Sequence, residues 1–188
     1  MTRRSSVSEN LEDLGNMSEF SRNERFWYAL YTRPRFEKKV DSILKQKDLH
    51  SFLPVRSTIH HWSNGKRRIA EPLFPSYVFL HADLSERCLA LQSYGVARFV
   101  SFGGQPARIP DEQIEDIYRI LQHGYDPEPF CRLNKGDMVE IVSGPLQGLR
   151  GIYVEDRGMR RLVLSVDIIR QAIAIAVEKG QIRRIKRL

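Results

Sequence analysis

Between Arg33 and Arg68 the chain concentrates cationic side chains. Ten residues of this stretch are Lys or Arg (33, 35, 38, 39, 45, 47, 56, 66, 67 and 68) against three acids (37, 41 and 48), a local excess of seven positive charges. The whole 188-residue chain carries the same excess, +7. Such a patch attracts phosphates and gives salt-dependent binding to nucleic acid. The plainer alternative is a solvated helix face. His60, His61 and Trp62 lie within the stretch, and their rings could stack on unpaired bases. Enzymatic chemistry lacks its usual signatures. No Gly-x-Gly-x-x-Gly, Gly-Lys-Ser/Thr or His-Glu-x-x-His pattern occurs, and no Gly-x-Ser-x-Gly. The five histidines and two cysteines, Cys88 and Cys131, lack metal-ligand spacing, so no metal and no other cofactor is expected. Acids cluster only at Asp111, Glu112, Glu115 and Asp116, the pattern of a helix start rather than a catalytic pair. These residues point to a binding protein and not to an enzyme.

The elements that must position these residues follow from periodicity. Residues 1–25 are polar, hold five acids and four bases, and read as a disordered leader. Phe26 to Tyr31 reads as a buried strand, ended at Pro34 because proline cannot donate to a ladder. Phe36, Val40, Ile43 and Leu44 form one face of a helix over about 35–48, with Lys38, Lys39, Lys45 and Lys47 on the other. His50 to Arg56 predicts a strand. Residues 58–62 and 66–70 predict a hairpin around Ser63-Asn64-Gly65, with Lys66, Arg67 and Arg68 on its far arm. Tyr77 to Leu80 is a strand, and residues 84–93 a short helix with Leu84, Cys88 and Leu91 on one face. Val96 to Phe102 is a strand. A helix starts at Pro110 and carries the stripe Ile114, Ile117, Tyr118 and Leu121. The order β-α-β-(hairpin)-β-α-β-α predicts an α+β domain over 26–123, a ferredoxin-like split βαβ sheet with an inserted hairpin. Residues 124–132 hold glycine and prolines and read as a linker. From 133 to 188 the period becomes two, in short strands that suggest a small β-barrel.

Two blocks carry a specific resemblance. Trp27-Tyr28-Ala29-Leu30-Tyr31 with Glu71-Pro72-Leu73-Phe74-Pro75-Ser76-Tyr77-Val78-Phe79 is followed by Gly136-Asp137-Met138-Val139-Glu140-Ile141-Val142-Ser143-Gly144-Pro145-Leu146-Gln147-Gly148-Leu149-Arg150-Gly151. In this order they resemble the NusG family of transcription elongation factors, from about Trp27 to Ile185. The N-terminal block is similar to the family's NGN domain. The C-terminal block is similar to its KOW domain, an SH3-like β-barrel. Tyr31 to Lys39, Phe99 to Gly104, Ile109 to Ile114 and Arg161 to Val166 are similar to specialised paralogues. These are the UpxY-type and RfaH-type antiterminators of polysaccharide operons.

The resemblance implies a cytoplasmic, monomeric, bacterial factor that binds RNA polymerase. Its N-terminal domain would dock on the clamp helices of the β′ subunit and reach toward the β-subunit gate loop. Holding the clamp closed would suppress pausing and termination. The apolar docking surface would comprise Tyr31, Tyr77, Phe79 and Phe99, and the gate-loop contact Leu84 and Ser85. The competing reading of these aromatics is ordinary core, since strand alternation hides about half of any such set. In RfaH-type factors the basic region reads the non-template DNA strand. Here that role would fall to Arg33, Arg35, Lys38, Lys39, Lys45, Lys47, Lys66, Arg67 and Arg68. The KOW domain would bind ribosomal protein S10, or the termination factor Rho, through Leu146, Gly148 and Ile168. Leu146 replaces an aromatic residue of the general factor, which counts against Rho. Ile169, Ile173 and Ile175 extend that surface or fill the core. RfaH-type proteins can refold this domain as helices; the period-two alternation of 137–177 predicts strands instead. Arg183-Arg184-Ile185-Lys186-Arg187 reads as a basic tail. No apolar run reaches the roughly 18 residues of a membrane span, and no secretory signal is present. The alternatives are a general NusG-type elongation and termination factor, or an RNA- or ribosome-binding KOW protein.

Overall fold

The computed structural model describes residues 24–62, 65–130, 136–156 and 158–185. The expectations for residues 1–23, for Ser63-Asn64 of the hairpin turn, for residues 131–132 of the linker and for residues 186–187 of the tail lie outside them.

The first sheet is built from β1 (Phe26–Thr32), β2 (His50–Phe52), β5 (Tyr77–Ala82) and β6 (Val96–Phe99) in the order β2-β5-β1-β6. All pairings are antiparallel. A short strand, β9 (Arg108–Ile109), also pairs with β1. Period-two alternation gives this sheet two different faces. Tyr28, Leu30, Val78, Leu80 and Phe99 share an apolar cluster with Val40 and Leu44 of α1 (Glu37–Gln46) and Ala90 of α2 (Leu84–Leu91). Trp27, Ala29, Tyr77 and Phe79 alternate with them and belong with Ile114, Ile117 and Ile120 of α3 (Asp111–Gln122).

Helix α2 begins with a reciprocal cap. The Asp83 carboxylate accepts from the Glu86 backbone N–H at 2.9 Å, and the Glu86 carboxylate accepts from the Asp83 N–H at 3.0 Å. The backbone N–H of Glu86, above all, holds the Asp83 carboxyl below its usual range. The face expected to be buried is not. Leu84, Cys88 and Leu91 are exposed, and Ala90 is the buried residue of this helix. A helix of eight residues resting on the small Ala90 side chain has no depth in which to sink a leucine stripe.

Strands β3 (Val55–Trp62) and β4 (Gly65–Pro72) form a separate two-stranded ribbon, longer at both ends than expected. The strand expected over 96–102 is interrupted. Val100 still donates to Ala29 O of β1 at 2.8 Å and accepts from the Ala107 N–H at 2.9 Å, and beyond it β7 (Ser101–Phe102) turns into β8 (Gln105–Pro106).

The C-terminal region is a second antiparallel sheet in the order β10-β14-β13-β12-β11-β15. It comprises β10 (Glu128–Phe130), β11 (Asp137–Ile141), β12 (Arg150–Asp156), β13 (Met159–Val166), β14 (Gln171–Ala176) and β15 (Ile182–Arg184). Two segments differ from the sequence reading. Glu128–Phe130, expected in the linker, pairs with β14, and Glu128 accepts from Arg161 at 2.8 Å. Arg183 and Arg184, expected in a free tail, lie in β15 against β11. They are ion-paired to Glu140 at 3.0 Å and Asp137 at 2.9 Å. The Arg183 hydrogen bond is the main cause holding the Glu140 carboxyl below its usual range. Neither segment is periodic enough alone to announce a strand; each is recruited by an edge that needs a partner.

The two sheets meet at α3. Its Arg119 guanidinium donates to the carbonyls of Gln147, at 2.8 Å, and Pro145, at 3.4 Å. These flank Leu146 in the loop between β11 and β12. Leu146 is buried in the apolar cluster that also holds Ile114, Ile117 and Ile120. Gly148 has φ +87 in that loop, and its N–H donates to Ile141 O at 2.8 Å. That is the left-handed backbone that glycine alone adopts cheaply.

Candidate functional site

Tyr31 and Tyr77 stand directly opposite each other across β1 and β5. Their rings meet edge to face with centroids 5.4 Å apart, a favourable aromatic geometry. Arg98 of β6 lies 5.4 Å over the Tyr31 ring. Both tyrosines are half-buried, so each keeps an accessible edge. Partial burial is the main cause raising the Tyr77 phenol, with a smaller push from Tyr31 and an opposing pull from Arg98. An apolar body with a polar rim and a nearby guanidinium is a composition typical of protein-binding patches.

The other two aromatics expected on this surface are interior. Phe79 is 0% exposed and packs between Phe52 and Phe74, with centroids at 6.3 and 5.6 Å. Phe99 is 5% exposed and lies on the opposite face of the sheet. It pairs with Leu30, which alternates with Tyr31, and its ring sits 5.8 Å from Tyr28. Register therefore prevents Phe99 from joining Tyr31 and Tyr77 on one surface. Leu84 and Ser85 are exposed at the start of α2, where the Ser85 hydroxyl donates to Asp83 at 2.7 Å.

The cationic residues divide into tethered and available groups. Lys45 is ion-paired to Asp41 at 2.8 Å. Lys47 donates to the Ser93 hydroxyl at 2.9 Å and to Leu89 O at 3.2 Å, so it braces α1 against α2. Arg33 and Lys39 lie over the ring of Tyr94, at 5.4 and 4.9 Å. Gly95 follows at φ +97, and a Cβ there would stand 2.8 Å from Phe36, so the chain must hold glycine beside Tyr94. Arg35 and Lys38 line a groove whose other wall is Ile69 to Pro72 of β4. Lys66, Arg67 and Arg68 are exposed further along that strand. The fold thus brings Arg35 and Lys38, about thirty positions from Lys66 to Arg68 in sequence, beside the strand that carries those residues.

In the second sheet, Leu146 is 1% exposed and Ile168 half-buried, while Ile169, Ile173 and Ile175 are core. Leu146 is therefore not a surface residue in this arrangement. Sequence reasoning missed Tyr94, Arg98 and Phe102. Phe102 is 88% exposed at the β7–β8 turn, where Gly103-Gly104 was the available signal. Among the described residues no His, Cys, Asp and Glu cluster could hold a metal ion, and no helix is long and apolar enough to cross a membrane.

Comparison with known proteins bears on these surfaces. The family described as "Transcription termination factor nusG" matches residues 25–118, half of the chain. The chain is 25% identical over 173 residues to the transcription termination/antitermination protein NusG of Escherichia coli K12, covering 84% of this chain and 95% of that protein. The NusG of Thermus thermophilus is 25% identical over 163 residues, covering 74% and 89%. The NusG of Helicobacter pylori J99 is 25% identical over 172 residues, covering 85% and 98%. A solved structure titled "Domain interaction in Thermotoga maritima NusG" shares the fold with a TM-score of 0.54 and 24% identity, covering 86% of this chain and 98% of that one. The matched span runs from β1 into α3 and contains the tyrosine corner and the whole cationic surface. The chain belongs to the NusG family of transcription termination and antitermination factors.

Proposed function

We propose that the chain is a specialised antiterminator that rides on RNA polymerase, docking through the Tyr31–Tyr77 corner. The observation that carries this reading is that corner: two half-buried aromatic rings paired edge to face beneath a guanidinium. Phe102 supplies a further exposed aromatic, and Leu84 and Ser85 a separate contact for the gate loop. Bridging the two sides of the nucleic-acid channel would keep the clamp closed, so pausing and termination fall. The mechanism is steric and needs no covalent step. Phe79 and Phe99 support the surface from inside the domain.

The cationic walls suit the displaced non-template strand. Arg33, Arg35, Lys38, Lys39, Lys66, Arg67 and Arg68 are free to meet phosphates, whereas Lys45 and Lys47 are tied to protein groups. Residues 26–123 form the NGN domain and residues 133–188 the KOW domain, to which the β10 strand adds an edge. Ribosomal protein S10 is the KOW partner in this reading, and Leu146, enclosed against α3, is not available to it in this arrangement. The segments similar to UpxY-type factors point to a polysaccharide operon as the target.

Single-round transcription with purified polymerase tests this reading. The protein should shorten a pause and raise read-through of a terminator placed downstream. Increased termination in the presence of Rho would instead support the general elongation and termination factor.

A further inference from the structure

We infer that Glu37 is a positioning residue, whose buried carboxylate sets the tyrosine corner on which polymerase docks. The inference rests on the docking reading given above. Glu37 opens α1 and is 7% exposed, an unusual place for a carboxylate. Its Oε1 accepts from the backbone N–H of Ser76 at 2.7 Å. Ser76 itself adopts φ 67, a left-handed backbone that a serine adopts only when its surroundings impose it. The carbonyl of the same residue accepts from the Thr32 N–H at 2.8 Å, and the Tyr77 N–H donates to Phe74 O at 3.1 Å. Ser76 is therefore gripped at both its N–H and its C=O, in the peptide that leads directly into Tyr77. Thr32 adjoins Tyr31 in the same way. One carboxylate thus reaches the backbone on which both rings are mounted.

The placement has a further consequence. Glu37 lies between Arg35 and Lys38, and all three line the groove against β4, where Glu71 also stands. The residue that fixes the tyrosines is thus part of the helix start that carries the cations. A shift of α1 would be felt at the tyrosine corner through this hydrogen bond and through the packing of Val40 and Leu44 with Leu30 and Val78, since interior packing transmits displacement rather than absorbing it. The carboxylate also stands where neither reading of the basic residues requires an acid. Its burial is explained by the Ser76 contact and not by an ion pair, because none of the ion pairs among the described residues involves Glu37.

The test measures core polymerase affinity of the full-length chain for five variants, at a temperature well below each melting point. Glu37→Ala is expected to weaken binding about tenfold. Glu37→Gln, whose side-chain carbonyl can accept from the same N–H, is expected to bind within about twofold of wild type. Adding Ser76→Gly to Glu37→Ala should recover most of the loss, because glycine adopts the left-handed backbone unaided. Leu44→Ala lowers stability from the same helix without touching Ser76 and should leave affinity unchanged, which separates positioning from general stability. Wild-type affinity in Glu37→Ala, beside a lost affinity in Tyr77→Ala, would overturn the role of Glu37 alone. A Glu37→Gln variant as weak as Glu37→Ala would overturn it too. Wild-type affinity in Tyr77→Ala would bring down the docking reading and this inference together.

Discussion

The Tyr31–Tyr77 corner and the Leu146 loop are two apolar sites that the fold treats in opposite ways. The tyrosines sit at one end of a sheet face, half-buried, braced by backbone hydrogen bonds and topped by Arg98. Leu146 sits at a loop tip, the usual place for a contact residue, yet it is 1% exposed. Arg119 closes on the carbonyls either side of it. One site is presented by the domain that bears it; the other is held inside by contact between the two sheets. The difference shows that an apolar residue on a loop is not accessible by virtue of the loop. What an element meets across the molecule decides.

The largest expected effect lies beneath the corner rather than on it. Phe79→Ala removes a fully buried ring packed between Phe52 and Phe74. It should cost about 3–5 kcal/mol, read as a lower denaturation midpoint with loss of the first sheet. A variant of wild-type stability that binds polymerase poorly would instead put Phe79 on the docking surface and erase the distinction between support and contact.

Arg119→Ala addresses the closed site. Its two hydrogen bonds to the loop are solvent-exposed, so removing them should cost only about 1 kcal/mol. The sharper readout is hydrogen exchange. Amides of residues 144–149 should exchange faster, while those of β1 and β5 keep their protection. Unchanged exchange in the loop would mean that Leu146 is held by its own sheet and not by α3.

The smallest effect concerns pH. His81 faces Trp27 and His50, with ring centroids 5.1 and 5.5 Å away. Burial first, and His50 second, push its imidazole below the usual value of 6.5. The folded chain therefore takes up this proton less readily than the unfolded chain. Stability contributed by the neutral ring is present above the usual value and is lost as pH falls toward the depressed one. Urea midpoints at about pH 7.5 and about pH 5.5 should differ in wild type and converge in His81→Gln. Asp116 works with the opposite sign. Burial raises its carboxyl against the pull of Arg119, so its penalty on folding grows as pH rises through the carboxylate range.

Much of the first sheet was legible because its strands and helices repeat strictly. Val40 and Leu44 on α1, and Ile114 and Ile117 on α3, are buried where their spacing placed them. The aromatics at 31, 77, 79 and 99 could not be sorted by type. Only register separates them: Tyr31 opposes Tyr77, whereas Phe99 opposes Leu30 and turns to the other face. Residue type likewise could not announce that Arg183 and Arg184 pair with a strand rather than trail in solvent, or that Glu128–Phe130 joins a sheet. Such recruitment depends on a partner edge far away in sequence. Tyr94 escaped notice because its neighbours, Arg33 and Lys39, lie over fifty positions earlier. The basic cluster itself was legible as charge, but not its division into tethered Lys45 and Lys47 and available residues.

The central claim is that polymerase docks on the Tyr31–Tyr77 corner. Its most direct test compares core RNA polymerase binding by wild type and by Tyr31→Ala/Tyr77→Ala, both shown to be folded by circular dichroism. Both rings are half-buried, so the double variant should remain folded. Its affinity for polymerase should fall at least about tenfold. Polymerase binding that the folded double variant retains in full would contradict the claim.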